Sequence, residues 1–264
     1  MQAFNYQAAA SLADAVKAVA AGAKPIAGGQ TLLQTMKIGL ATPESLVDLS
    51  GIDELKRIEV SGDTVKIGAM ATHASVAASG AVRKAIPALA DLAGLIGDRQ
   101  VRNLGTIGGS LANNDPAACY PAATLGLGAT IHTDRRTIAA DDFFRGLYET
   151  ALDEGELITA VSFPVPQKAA WQKFRQQASR FSLVGVFVSQ GPQGVRVAVT
   201  GAGPCAFRVK ALEDKLAASW SPESCDGVKV DATDLNSDLH GSAEYRAALI
   251  PVLARRAVAA TLAS

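Results

Sequence analysis

The stretch VRNLGTIGGSLANNDPAACYPAA (residues 101–123) decides the fold. Glycine, asparagine and small side chains are too dense in it for an ordinary packed helix or strand, yet it stands between apolar segments, where connections are usually short. Its composition predicts a long ligand-wrapping loop, since extended connections in compact domains tend to be functional. Inside it, TIGGS (residues 106–110) places the Thr106 and Ser110 hydroxyls on either side of paired glycines. An earlier segment, AGGQT (residues 27–31), has a similar makeup. Gly28 and Gly29 lack a Cβ, so the backbone there can adopt positive φ and approach a ligand closely. A helix entered at Thr31 would leave N–H groups facing back into that turn, as in an anion pocket. A diphosphate could be gripped by two such turns, one for each phosphoryl group. Taken singly, each is equally a tight strand-to-helix turn. No GK[ST] follows either turn, neither reads GxGxxG, and no acidic residue ends a following strand, so the Walker and Rossmann modes are excluded. A dinucleotide held in another manner remains.

Composition narrows the classes further. The chain has 264 residues, 25 basic against 25 acidic, and nearly half its residues are hydrophobic. That balance, without a like-charge block, gives no electrostatic case for nucleic acid. The start, MQAFNYQAAASLADAVKAVAAG, has no basic head before an apolar core, so it predicts neither a signal peptide nor a membrane span, and a cytoplasmic placement is expected. Cys119, Cys205 and Cys225 are odd in number and far apart, and His73, His132 and His240 are scattered; neither a disulfide framework nor a metal site is signalled. Redox chemistry in such a chain would need an organic cofactor.

Reading along the chain, Ser11 caps a helix from Leu12, and a short strand at Pro25 to Ala27 leads through the first glycine turn into a second helix. Short strands are predicted at 45–50, 55–60 and 64–70, with a hairpin at Gly62, then helices at 73–78 and 81–95. Strands follow in ATLGLGATIHT and RRTIAADDFF and in ELITAVSFPVP. From Trp171 long alternating strands with a hairpin at GPQG precede a helix from about Phe207 and a terminal helix containing Pro251, which predicts an antiparallel sheet covered by helices. Boundaries fall near Gly51 and between Pro164 and Ala170.

AGGQTLL, RNLGTIGGSLANNDPA, KFRQQASRFSLVGV and SAEYRAALIPVLARRA, in this order, make the chain resemble the FAD-binding medium subunits of the molybdenum hydroxylases, the family of xanthine dehydrogenase, carbon monoxide dehydrogenase and aldehyde dehydrogenases. The resemblance covers essentially the whole chain. It implies an α+β fold of the vanillyl-alcohol-oxidase type in two FAD-binding subdomains, 1–52 and 53–166, followed by a C-terminal domain, 167–264, of three antiparallel strands with helices. It further implies that FAD on this chain receives electrons from [2Fe-2S] clusters on a small iron–sulfur subunit, supplied in turn by a molybdopterin cofactor on a large subunit. The assembly would be a heterotrimer, often doubled, and the flavin would pass electrons to an external acceptor. A self-sufficient FAD oxidoreductase of the same fold type is the alternative.

By position, the resemblance assigns Ile26, Ala27, Gly28, Gly29, Gln30, Thr31, Leu32 and Leu33 to one FAD segment and Thr106, Ile107, Gly108, Gly109 and Ser110 to another. The family often has Asn where Ser110 stands. Many relatives have an Asp at position 119 that hydrogen-bonds the ribityl chain; a Cys119 thiol is a poor acceptor in its place, and Asp115 is the candidate substitute. Ile158, Gln176 and Arg180, with Lys173, match places near the isoalloxazine ring, where a cation would stabilise a reduced, anionic flavin. His73, after a strand, is a further candidate for cofactor contact, or simply a histidine capping a helix. Arg102 could offset phosphate charge or lie on the surface, and Tyr120 and Trp171 read as core or interface aromatics. No catalytic triad or carboxylate pair stands near the glycine turns, so no catalytic residue and no protein-bound metal are assigned on this chain.

Overall fold

A computed structural model describes residues 2–263. Its first fifty residues form a parallel sheet: β1 (Asn5–Ala8), α1 (Leu12–Ala20), β2 (Lys24–Ile26), α2 (Leu32–Lys37) and β3 (Ser45–Asp48), with strand order β1-β3-β2. Ser11 caps α1 by accepting the Asp14 N–H at 3.2 Å, which typically stabilises a helix by about 1 kcal/mol. Ala15 and Val19 on one side of α1 are buried with Val47, Leu49 and Ile52, and this cluster includes Met70 and Leu157 from later in the chain. Pro25, which has no N–H, is tolerated because β2 is an edge strand.

The middle of the chain builds an antiparallel sheet from β4 (Ile58–Ser61), β5 (Thr64–Gly68), β6 (Thr130–Thr133), β7 (Thr137–Ala139) and β10 (Ile158–Pro164), in the order β4-β5-β10-β6-β7; β8 (Phe144–Gly146) and β9 (Glu149–Thr150) form a separate hairpin. Val65, Ile67, Ile131, Val161 and Phe163 from this sheet enter one core with residues of five helices, α3 (His73–Ala78), α4 (Gly80–Ala85), α5 (Pro87–Gly94), α7 (Ile107–Asn113) and α8 (Tyr120–Gly126), while α6 (Arg99–Leu104) buries no residue. The decisive stretch is therefore not an extended loop. It is helical in three short pieces, because Asp98 caps α6 through the Val101 N–H, Thr106 caps α7 through the Gly109 N–H, and small residues let the pieces pack closely. Three other expectations shift for equally local reasons. The helix expected over 81–95 is divided at Ile86–Pro87; Asp53–Lys56 is a 3₁₀ turn, so the strand expected from residue 55 begins at Ile58; and residues 122–126 belong to α8, so the next strand begins at Thr130.

The last third carries β11 (Lys168–Arg175), β12 (Ser182–Gly191), β13 (Gly194–Thr200) and β14 (Phe207–Arg208), paired antiparallel in that order, then α9 (Lys210–Ala218) and α10 (Ala243–Leu262). The three expected strands are joined by a two-residue fourth, which moves the helix start from Phe207 to Lys210. β12 is buried along most of its length on both faces, since Phe187 joins the middle core while Val184, Val186 and Val188 pack with Ile250, Leu253 and Ala257 of α10. Arg196 fastens the sheet to the middle core by donating to the Leu125 carbonyl (2.7 Å) and pairing with Asp141. No helix among the described residues is long and apolar enough to cross a membrane.

Candidate cofactor site

The first glycine turn connects β2 to α2. Gly29 has φ +67, a region that favours glycine, whereas Gly28 does not. Gly28 is demanded by proximity: a Cβ there would collide with the Leu104 carbonyl and come within 2.8 Å of the Gly105 Cα. The amides of Gly28, Gly29, Gln30, Thr31 and Leu32 donate to no acceptor among the described residues, while Leu33 N–H, the next in line, bonds the Gly29 carbonyl at 3.1 Å. These residues, half-buried except for the exposed Thr31, thus present a run of unpartnered donors, which is what an anionic group needs. Thr31 contributes no side-chain cap, and α2 has six residues, so the backbone donors rather than a long helix dipole define the turn. Ile26 is buried, with Leu32 and Leu33 packed beside it.

The second glycine turn, TIGGS, is built differently. The amides from Ile107 to Ser110 are already bonded: Ile107 to the Ala71 carbonyl (3.1 Å), Gly108 to Ala69 (2.8 Å), Gly109 to Thr106 Oγ1 (3.1 Å) and Ser110 to the Thr106 carbonyl (3.0 Å). Thr106 and Gly108 are buried, and a Cβ on Gly108 would press within 2.6 Å of the Ala69 Cβ. The two turns do meet, since a Cβ on Gly109 would stand 3.5 Å from that of Ala27. One therefore supplies donors and the other the wall beside them.

Beyond the C-terminal end of α7 the chain enters a cavity of about 280 Å³ lined by Asp115, Tyr148, Gln176, Phe181, Ser182 and Arg246 among others. Burial pushes the Asp115 carboxyl up from its ordinary value, partly opposed by the Ala117 N–H, and the Asp115 charge in turn raises the Tyr148 phenol. Cys119 is buried, its Sγ 3.3 Å from Lys173 Nζ and 3.7 Å from Ser182 Oγ. Lys173 also donates to the Leu95 carbonyl at 3.1 Å, so it is no free strand residue. Gln176 and Arg180 lie in the turn between β11 and β12; Arg180 is exposed with φ +63, and its N–H bonds the Gln176 carbonyl.

His73 and Ile158 lie deeper. Ile158 is packed in the middle core. His73 starts α3 behind Thr72, the actual cap, with its ring against Gly105 and 5.4 Å from that of Tyr120. Burial, with the Arg102 charge adding to it, brings the His73 pKa down to about 4. Neither His73 Nδ1 nor the Tyr120 hydroxyl has a hydrogen-bond partner among the described residues. Arg102 is engaged locally, donating to the carbonyls of Ile96 (2.9 Å) and Gly97 (3.2 Å). Tyr148 and Arg246 escaped the sequence reading. Tyr148 carried no signal in the sequence, its φ of +56 being a property of the fold, whereas Arg246, in the first turn of the terminal helix just before an apolar run, could have been read as a buried clamp. It bonds Asp238 through both carboxylate oxygens and the Leu183 and Gly201 carbonyls.

Comparison with known proteins identifies the family. Residues 2–166 match the family described as FAD binding domain in molybdopterin dehydrogenase. The nicotine 6-hydroxylase medium subunit of Paenarthrobacter nicotinovorans is 38% identical, over 98% of this chain and 97% of that one. The carbon monoxide dehydrogenase medium chain of Hydrogenophaga pseudoflava is 33% identical over 98% and 97%. Among solved structures, reconstituted CO dehydrogenase from Oligotropha carboxidovorans superimposes with a TM-score of 0.91 at 32% identity, covering 99% of this chain and 98% of its counterpart. The expected α+β fold is thus that of these subunits, and the chain belongs to the FAD-binding medium subunits of the molybdenum hydroxylases, a family of oxidoreductases.

Proposed function

We propose that this chain is the electron-transfer subunit of a cytoplasmic heteromeric molybdenum hydroxylase, receiving electrons from [2Fe-2S] clusters on a small subunit that serves a large molybdopterin subunit, and delivering them to an external acceptor. The three units 1–52, 53–166 and 167–264 would each contribute a wall of the cofactor cleft. The observation that carries the reading is the run of unpartnered amides from Gly28 to Leu32, facing a second glycine turn whose own amides are spent. Such a cradle fits the diphosphate of FAD, and bound FAD supplies a carrier able to exchange electrons singly and in pairs. The Gly28–Leu32 amides would neutralise the diphosphate, Ala27 and the Thr106–Ser110 turn would exclude water beside it, and Asp115 and Gln176 would face the remainder of the molecule. Cys119 and Ile158, both buried, and His73, behind Gly105, would shape the cleft from behind. A self-sufficient oxidoreductase is not favoured, because the relatives that align end to end are medium subunits of multi-chain enzymes.

The test is a visible absorption spectrum of the protein purified with its native neighbours, together with mass spectrometry of the chains that accompany it. Flavin bands overlaid by iron–sulfur absorption, with two further chains, are expected. Flavin on a lone chain that oxidises a substrate would instead support the alternative, and a preparation that stays colourless after FAD is added would refute both.

A further inference from the structure

Cys119 and Lys173 face each other where the middle core meets the C-terminal sheet. Cys119, the residue before α8, is buried, and its Sγ lies 3.3 Å from Nζ of Lys173 on β11. The Leu95 carbonyl, at the end of α5, holds the ammonium from its other side at 3.1 Å, and Lys173 donates to no carboxylate among the described residues. A lysine head drawn partly out of water ordinarily meets an acid. This one meets a sulfur. Ser182 Oγ is 3.7 Å from the same sulfur, and Ser182 also lines the cavity, so a solute as small as hydrogen peroxide entering there comes within one residue of Cys119. The other two cysteines lack this setting. Cys225 is packed in the separate core under α10, where burial pushes its thiol up to about 11, and burial also raises the Cys205 thiol. Since the thiolate is the form that attacks an oxidant, both are held in their unreactive form.

We propose that Cys119 and Lys173 are a peroxide-responsive modification site, in which Sγ and Nζ become joined through one inserted oxygen atom. The proposal goes beyond the electron-transfer reading and does not depend on it. In the first step the thiol gives its proton to solvent and the sulfur attacks hydrogen peroxide. The peroxide O–O bond breaks, the Lys173 ammonium protonates the departing hydroxide to water, and a sulfenic acid is left beside a neutral amine. The sulfur has lost two electrons to the peroxide. A second peroxide takes two more. The sulfenic O–H and one amine N–H break, an O–N bond forms, and the peroxide leaves as one water while the two released hydrogens and its other oxygen make a second. The product is a neutral S–O–N bridge, which an external dithiol reduces back to thiol, amine and water. The bridged residues are 54 positions apart in the chain, so the bond ties the start of α8 to β11 and restricts the unfolded chain as a disulfide does.

The experiment treats the full chain, as purified, with hydrogen peroxide, digests it without reductant and maps the peptides by tandem mass spectrometry. The peptides holding Cys119 and Lys173 should appear joined, heavier than their sum by one oxygen and lighter by two hydrogens, and dithiothreitol should separate them. The melting temperature should rise by several degrees on oxidation and fall back on reduction. Lys173→Arg keeps the cation but not the amine, and should show neither the joined peptides nor the rise. Cys205→Ser should show both undiminished. Mapping of the parent needs no variant, so the result stands even if Lys173→Arg does not fold. Recovery of Cys119 as a free thiol after peroxide treatment, or as a sulfinic acid beside an unmodified Lys173, overturns the proposal.

Discussion

The two glycine turns read almost alike and are built for opposite purposes. In the first, the amides from Gly28 to Leu32 have no acceptor among the described residues; in the second, those of Ile107 to Ser110 are all bonded, to Ala71, Ala69 and Thr106. Glycine serves φ at position 29 and close approach at positions 28 and 108. A glycine pair before a helix therefore does not reveal whether it cradles a ligand or packs against a strand. What separates the two cases is where the N–H groups go.

Substitutions can break this comparison. The largest effect is expected from Gly28→Ala, because the new methyl meets backbone, the Leu104 carbonyl, which cannot swing aside. Loss of stability should reach at least the upper part of the ~1–3 kcal/mol range of overpacked sites, with FAD lost as the turns are pushed apart. Urea unfolding and flavin content of the purified variant are the readouts, and a variant that matches its parent in both would show that the turns are not clamped together.

Next in size is a pH effect confined to the second turn. His73, whose N–H bonds the Gly105 carbonyl at 2.9 Å, is kept neutral by burial with a pKa near 4, below its unfolded value of about 6.5. Because the folded pKa is the lower one, the full stability is present above about pH 6.5 and declines as pH falls toward 4, where the unfolded chain binds the proton more readily. The difference should amount to ~2–3 kcal/mol at pH 4. His73→Leu removes the titration, so its unfolding free energy should fall less steeply than the parent's over that window; parallel curves would mean that His73 is not held neutral.

How much of this was legible in the sequence depended on whether a residue's role is local. Ser11 as a cap and the hairpin from Gly191 to Gly194 follow from neighbours a few positions away, and both are found as expected. The helices in 99–126 were obscured because small residues erase the hydrophobic periodicity; the caps Asp98 and Thr106 were the signal available, read too weakly against the glycines. In the candidate site, the makeup of both turns was visible, but their division of labour was not, since the acceptors at Ala69 and Ala71 lie some forty positions away in the chain. The inward orientation of Cys119 likewise depends on Lys173 and Ser182, supplied by the C-terminal sheet.

Two smaller substitutions sharpen the contrast by separating stability from affinity. Gly108→Ala should cost ~1–2 kcal/mol, because Ala69, the residue after β5, must yield to the added methyl. Thr106→Val keeps the shape of the buried side chain but deletes the acceptor of the Gly109 N–H, a cost of about 1 kcal/mol. Neither change touches an amide of the first turn, so the fraction of each variant that remains folded should bind FAD within a few-fold of the parent. Measuring the melting temperature and the FAD dissociation constant on the same samples places each variant on one axis or the other. Should Thr106→Val weaken FAD binding a hundredfold at unchanged stability, its hydroxyl would be a ligand donor as well as a cap, and the second turn would have to be counted as part of the cradle rather than as its wall.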